Sequence, residues 1–439
     1  MPKGIVIGAG ISGLLAAKAI SNAGWEVVVL DKDSLPDSPS PRKGTPQAVH
    51  AHMLLQAGLE AIEALYPGFQ SELVSRGAVM ANMTRDWHTM LQEGTLVRGD
   101  STLDFISASR LLIEYILREQ LVQNPRLTLK DGSRITNVEL RSESPPIVHY
   151  SQDGKMRSIR DADLVIDASG RSSRCLQWLE AGGYEKVPVS TTTTRLGYAS
   201  CLYHNLRLPR SDLGWSCMYR APNSPCAGII MPIENQQYLV TLSGLCDNNP
   251  PGEAQGFLDF ASSLRCAGFK EILETGEPIS DIKTFRKPDN YYRGFHRLKH
   301  WPSGFIVTGD GVCSFNPVYG QGMTAAAVAA RSLAPVLARH HPSDAKTLQK
   351  KINQAYRMPW LIARTEDQRW TEAQPLASRL AHRLMDRLNR AGMKDMRIAA
   401  TYLSVLHMKK SPLALLRPYA LVKALTTHLP SSSPNRSSR

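Results

Sequence analysis

The stretch GIVIGAGISGLLAAKAISNAGWEVVVLD, residues 4–31, decides the fold. A short β-branched run, Gly4 to Ile7, leads into Gly8-Ala9-Gly10-Ile11-Ser12-Gly13, which opens a helix of small and apolar residues. A second run, WEVVVL, follows and ends in Asp31. Strand, glycine turn, helix and strand in this register form the βαβ unit that holds a dinucleotide. Gly8 permits the tight turn, Gly10 lets a pyrophosphate approach the backbone, and Gly13 lets helix and strand pack closely, with the phosphate at the positive helix end. Asp31 lies 18 residues beyond Gly13, where a carboxylate accepts from adenosine ribose hydroxyls. Ser12 and Lys32 complete the cofactor-facing set expected from this unit.

Two later runs have the same character: Leu164 to Gly170 in DADLVIDASG, and Phe305 to Gly309 in GFIVTGDG. Each reads as a strand buried in a parallel sheet and ending at a glycine turn. Their separation implies one nucleotide-binding domain assembled from distant pieces, at residues 1–75, 105–185 and 286–340. The segment between is rich in Thr, Tyr, Val and turn residues and reads as an antiparallel sheet, giving a substrate domain at 76–104 and 186–285. Helical patterns with Arg on one side and Leu on the other predict a C-terminal lobe at 341–430, and PSSSPNRSSR predicts a disordered tail at 431–439. The expected fold class is α/β: a Rossmann-like domain with an inserted antiparallel β-sheet domain and a helical C-terminal lobe.

Composition removes several classes of function. The 439 residues carry a formal charge of +13, but residues 341–439 hold 18 Lys/Arg against 6 Asp/Glu, which leaves the main body nearly neutral. That body has no basic stripe for a nucleic-acid backbone. Seven cysteines stand without a C-x-x-C pair or a nearby His at zinc spacing, so scattered thiols in a reducing cytoplasm are expected and no metal. The apolar N-terminus is interrupted by glycines and followed by a strand, unlike a signal peptide, and no run is long enough to span a bilayer. The expected location is cytoplasmic, with the membrane surface as a peripheral option.

In VTGDGVCSFNPVYGQGMTAAA a strand ends at Gly309-Asp310, and a Pro-containing loop leads to Gly320-Gln321-Gly322 at the head of a small-residue helix. Asp310 suits a polyol hydroxyl, which among dinucleotides only a flavin cofactor has. The helix N-terminus at Gly322 to Thr324 would face the flavin's pyrimidine edge and stabilise the negative charge that develops there on reduction.

With PRKGTPQAVHAHMLLQAG, DASGRSSR and GDGVCSFNPVYGQGM, the chain resembles the FAD-dependent monooxygenases of the p-hydroxybenzoate hydroxylase superfamily over most of residues 1–340. Within it, these stretches are most similar to the polyether and polyene epoxidases and related bacterial tailoring oxygenases. The resemblance implies that Arg42 and Arg110 contact FAD, Asp310 the ribityl chain, and Gly320, Gln321, Gly322 and Met323 the isoalloxazine ring. It also implies O2 as co-substrate and NAD(P)H as donor, directly or through a separate flavin reductase. Three positions depart from the family pattern: Ser169-Gly170 replaces Asp-Gly, Cys313 stands for His, and Met323 for Asn. No second glycine motif for a pyridine nucleotide is present.

The remaining candidates are softer. His50 and His52, two apart in PQAVHAHMLL, suit one face of an extended segment and are the catalytic candidates, with proton management, substrate placement or a structural role in fixing the loop open. Tyr198, Trp215, Met218, Tyr219 and Met231, with Pro317, are candidates for an apolar substrate wall, against the alternative that each is core. No triad order, H-E-x-x-H or P-loop occurs, as suits chemistry carried by a cofactor. In the lobe, Arg379, Arg383, Arg387 and Arg390 recur at helical spacing beside Leu380, Leu384 and Leu388. Anionic lipid or an acidic carrier protein would suit this pattern; so would a packed helix with a solvated basic face. The function expected is an FAD-dependent monooxygenase that epoxidises or hydroxylates an apolar alkene-containing or aromatic small molecule in secondary metabolism. A flavin-dependent reductase of isoprenoid double bonds and a non-catalytic flavin- or lipid-binding sensor are the alternatives. The W-x-W-x-I-P signature of flavin halogenases is absent.

Overall fold

The computed structural model describes residues 1–286, 289–338, 345–371 and 374–427. The tail expected at 431–439 lies outside these described residues.

Five strands form a parallel sheet in the order Phe305–Val307, Leu164–Asp167, Lys3–Ile7, Glu26–Leu30, Leu127–Lys130. Their central residues, such as Ile5, Val6, Val27, Val29, Val165 and Ile306, are fully buried, as continuous apolar runs covered on both faces should be. Helix Ile11–Asn22 packs between helices Gln321–Leu337 and Arg110–Val122. The antiparallel ribbon of Arg134–Glu139, Ile147–Gln152 and Lys155–Ile159 adds Val138, Val148 and Tyr150 to the same core. Register then positions the site. Ile7 pairs with Leu30 and Asp167, and Asp167 with Val307, so the four strands end level and deliver Gly8, Asp31, Ala168 and Thr308 to one edge. Ligands of open α/β sheets bind at this carboxyl edge.

The second large sheet runs in the order Glu277–Pro278, Gly197–His204, Gln237–Gly244, Cys226–Ile233, Gly214–Cys217, Trp87–Met90, with Lys283–Arg286 also paired to Gly197–His204. All pairs are antiparallel except the one that brings in Trp87–Met90 from upstream. One face packs Cys201, Tyr203, Trp215, Val240 and Leu242 against Phe257 and Phe269 of two short helices. A three-stranded sheet of Val189–Thr192, Asn290–Arg293 and Cys313–Ser314 ties the two units together.

Helix Ala345–Asp367 lies along Gln321–Leu337 and contributes Leu348, Ile352, Tyr356 and Trp360 to the main core. Helices Leu376–Gly392, Met396–Leu406 and Pro418–Thr426 share a smaller core of their own, while Ala399 and Leu403 reach the second sheet. No helix among the described residues is long and apolar enough to cross a membrane.

Candidate active site

A groove of about 620 Å³ runs along the carboxyl edge of the parallel sheet and is lined by residues of all three glycine motifs. Gly8 holds φ at +101°, and an added Cβ there would lie 2.7 Å from the Ala168 carbonyl oxygen, so only glycine makes this turn. Gly10 caps the helix Ile11–Asn22, and the nearest atom to a Cβ on it is Nη2 of Arg42 at 3.8 Å, which leaves open space before the helix N-terminus. Asp31 accepts from the Ala9 amide at 2.6 Å and the Asp33 amide at 2.9 Å, and pairs with Arg42 at 3.3 Å. Arg42 also pairs with Asp33 at 2.9 Å and Glu114 at 2.8 Å. Burial opposes its charge, but Glu114 and Asp31 outweigh that and raise its pKa. Lys32, Ser12 and Arg110 line the groove as well.

On the other side of the groove, Asp310 follows Gly309, and its backbone carbonyl accepts from the Tyr291 hydroxyl at 2.6 Å. Gly320, at φ +64°, caps helix Gln321–Leu337, and a Cβ on Gly322 would meet nothing within 4 Å. Ser169, in the place of the family's acid, is engaged. Its amide donates to the Asp167 carboxylate at 3.0 Å, and the hydroxyls of Ser169 and Ser173 bond the same group. Burial raises the pKa of Asp167, and these three bonds pull the other way.

These residues fit FAD. The volume suits a cofactor site, two helix N-termini open onto it to receive a pyrophosphate, and Arg42, Arg110 and Arg171 line it, Arg42 already paired with Asp31, Asp33 and Glu114.

A second, mostly apolar cavity of about 160 Å³ adjoins the groove, and His52, Met53, Tyr198, Pro317 and Gly320 line both. Its walls come from the second sheet, from residues 50–55 and from Leu403, Leu406 and His407 of the C-terminal lobe. His50 Nδ1 lies 2.8 Å from Ser200 Oγ, which lies 2.6 Å from Thr241 Oγ1, and that hydroxyl accepts from the Ala51 amide at 3.0 Å. Thr89 Oγ1, on the same cavity, is buried with no partner.

The histidines are neutral. Burial lowers His50 and His407 to about 4. Burial, then the charge of Arg110, lowers His52 to about 3. His52 Nδ1 faces the His50 carbonyl at 2.8 Å, so it carries the proton, and Nε2 accepts from Arg110 at 3.3 Å. His52 is thus a positioning group for Arg110 and not a proton donor near neutral pH.

Several expected site residues lie away from the groove and the cavity. Gly13 serves the helix–strand contact, where a Cβ would lie 1.8 Å from the Gly8 carbonyl oxygen, and does not itself line the groove. Gln321 turns away, with Nε2 donating to the Leu406 carbonyl at 3.4 Å. Trp215 sits on the far face of the second sheet, bonded to Asp212 at 2.8 Å and stacked on His88. Met231 is core, and the Tyr219 hydroxyl donates to Ser243 beneath the cavity lining. Tyr198 and Pro317 line the cavity as expected, with Met218 beside them. Sequence reasoning missed Thr89, Ser200, Thr241 and His407. The pair Thr241 and Ser243, two apart on one strand, was the one local signal, since successive small groups on a face leave volume there.

The FAD binding domain family matches residues 3–352. Protein Rv3254 of Mycobacterium tuberculosis is 28% identical over 368 residues, which cover 80% of this chain and 76% of that protein. The 6-hydroxy-3-succinoylpyridine 3-monooxygenase HspB of Pseudomonas putida is 24% identical over 348 residues, covering 76% and 78% of the two chains. The structure of p-nitrophenol 4-monooxygenase PnpA from Pseudomonas putida shares the fold at a TM-score of 0.66 and 18% identity, covering 94% of this chain and all of that one. With the glycine motifs on one edge and a cavity against the flavin loop, the chain belongs to the FAD-binding family of p-hydroxybenzoate hydroxylase-like flavin monooxygenases.

Proposed function

We propose that the protein inserts one oxygen atom of O2 into a compact apolar alkene or arene, by epoxidation or hydroxylation, in secondary metabolism, with electrons from NAD(P)H directly or through a flavin reductase. The observation that carries this reading is the apolar cavity that meets the groove at His52, Met53, Tyr198, Pro317 and Gly320. A dry apolar cavity of about 150 Å³ takes one benzene ring, so the space of about 160 Å³ suits a substrate of one ring or a short alkene at the reacting end. The resemblance of PRKGTPQAVHAHMLLQAG and GDGVCSFNPVYGQGM to the polyether and polyene epoxidases supports keeping epoxidation beside hydroxylation in this range.

When bound, FAD supplies the redox chemistry with O2, and the chain's task is to position and to exclude water. The N-terminus of Gln321–Leu337 presents backbone N–H groups to charge developing at the ring. His52, neutral, holds Arg110 at the groove. The His50–Ser200–Thr241 chain fixes the loop over the cavity to the sheet. Leu403 and Leu406 add apolar surface to the cavity wall.

The test is the visible spectrum of the purified holoprotein before and after NADH or NADPH in air, followed by turnover of single-ring alkenes and arenes under labelled O2. One labelled oxygen in the product is expected. A product that gains two hydrogens without oxygen, formed only anaerobically, would refute the reading in favour of a reductase.

A further inference from the structure

The C-terminal lobe carries a surface that the site does not use. Residues 374–427 hold ten Lys/Arg and two Asp/Glu. Both acids are engaged, Asp386 with Arg369 and Asp395 with Lys423. Arg379, Arg383, Arg387, Lys394, Arg397, Lys410 and Arg417 have no carboxylate partner among the described residues. Between these cations, apolar side chains project: Leu413 is 69% exposed, Leu425 65%, Val422 57% and Leu416 47%. On helix Leu376–Gly392, Leu376 and Leu380 are exposed on the face that Arg383 and Arg387 continue. This helix and Pro418–Thr426 pack on each other through Leu388, Ala391, Ala420 and Ala424, so both turn their outer sides to solvent.

Three occupants can be compared. The chain's own residues 428–439 contain a single large apolar side chain, Leu429, too little to cover this face. A second copy docked by a two-fold axis would set the seven unpaired cations against seven more. A partner must therefore be acidic and must receive separate projecting apolar groups. A fluid anionic interface does both, because it conforms to each side chain while its phosphates neutralise the ring of cations.

We propose that this face docks on an anionic lipid bilayer, with Leu413, Leu416, Val422 and Leu425 entering the boundary between headgroups and acyl chains. The same lobe lends Leu403, Leu406 and His407 to the apolar cavity. On the function proposed above, docking would set that cavity beside a phase in which its substrate dissolves. Docking itself needs no turnover.

The test is sedimentation of the full-length holoprotein with vesicles of phosphatidylcholine alone or with about one-third phosphatidylglycerol. Binding to the anionic vesicles only is expected, reversed in about 1 M NaCl, where the Debye length is about 3 Å. Lys410→Gln with Arg417→Gln should lower partitioning about fivefold per cation removed. The triple variant Leu413→Ser, Val422→Ser, Leu425→Ser should abolish binding while flavin content and Tm stay at wild-type values. Equal binding to neutral vesicles, no binding at all, or wild-type binding by the triple variant overturns the proposal. So does a concentration-dependent dimer, or a complex with a soluble acidic protein, that the triple variant loses while vesicles are ignored. None of these outcomes depends on whether the substrate reading is right.

Discussion

Gly322→Ala separates what the fold needs from what the cofactor needs. Gly322 is the second residue of helix Gln321–Leu337, and a Cβ added there would have nothing within 4 Å. The empty fold therefore accepts alanine, and the better helix former stabilises it by about 0.5–1 kcal/mol. If the flavin ring lies over this helix end, the same methyl intrudes on it. An overpacked contact costs about 1–3 kcal/mol, which corresponds to roughly a 5- to 150-fold rise in Kd. The assay is thermal melting of the apoprotein together with titration by FAD, followed through quenching of flavin fluorescence. Expected is an apoprotein Tm at or slightly above wild type with FAD affinity lowered at least fivefold. Gly13→Ala is the contrasting variant: its Cβ would lie 1.8 Å from the Gly8 carbonyl oxygen, so the apoprotein itself should lose stability. Gly322→Ala with wild-type FAD affinity and intact Tm would refute the placement of the ring.

Asp310→Ala should yield folded protein without FAD, read as loss of the flavin bands after desalting; full retention would sink the role given to the third motif. His50 and His407, both lowered to about 4, bind a proton more readily in the unfolded chain. Stability is therefore complete above the unfolded pKa of about 6.5 and falls by about 2 kcal/mol per histidine between pH 7 and pH 5. Melting curves of the apoprotein should show this slope, and His50→Gln with His407→Gln should lessen it, leaving the share of His52, which is lowered to about 3. His52→Ala should lower turnover and His52→Gln should restore much of it, with the pH profile near neutrality unchanged in both. A limb near pH 6.5 that vanishes in the variants would mean that His52 does titrate. Thr89→Val, which removes a buried hydroxyl without a partner, should stabilise the protein by about 1 kcal/mol in melting, while weakening binding of any substrate that carries a polar group at that end of the cavity.

The cofactor side was far more legible in the sequence than the substrate side, for a physical reason. Gly8, Gly10 and Gly13 answer to backbone geometry that other residues cannot meet, and Asp31 and Asp310 end strands whose apolar runs announce themselves. The second sheet gives no such signal, because both of its faces are covered. Alternation along Gly214–Cys217 shows that Trp215 and Ser216 point opposite ways, but not which side holds the cavity. Aromatic bulk suggested Trp215; the cavity lies on the side of Ser216, where small groups leave room. The contribution of Leu403 and His407 was out of reach for a different reason, since it depends on how a helix some 350 residues from His50 folds back.

The order of strands in the parallel sheet also has a consequence for synthesis. The sheet's first-made strand, Lys3–Ile7, pairs directly with Leu164–Asp167, whose other neighbour is Phe305–Val307. At about 5–20 residues per second on the ribosome, roughly 15–60 s separate the first of these strands from the last. For about the first half of that interval Ile5 and Val6 lack one of their two neighbouring strands, and the pyrophosphate end of the groove exists before the ring end. Until Leu164–Asp167 emerges, Lys3–Ile7 can pair only with Glu26–Leu30 and pack against helix Ile11–Asn22, and the groove is completed only once residue 322 has emerged.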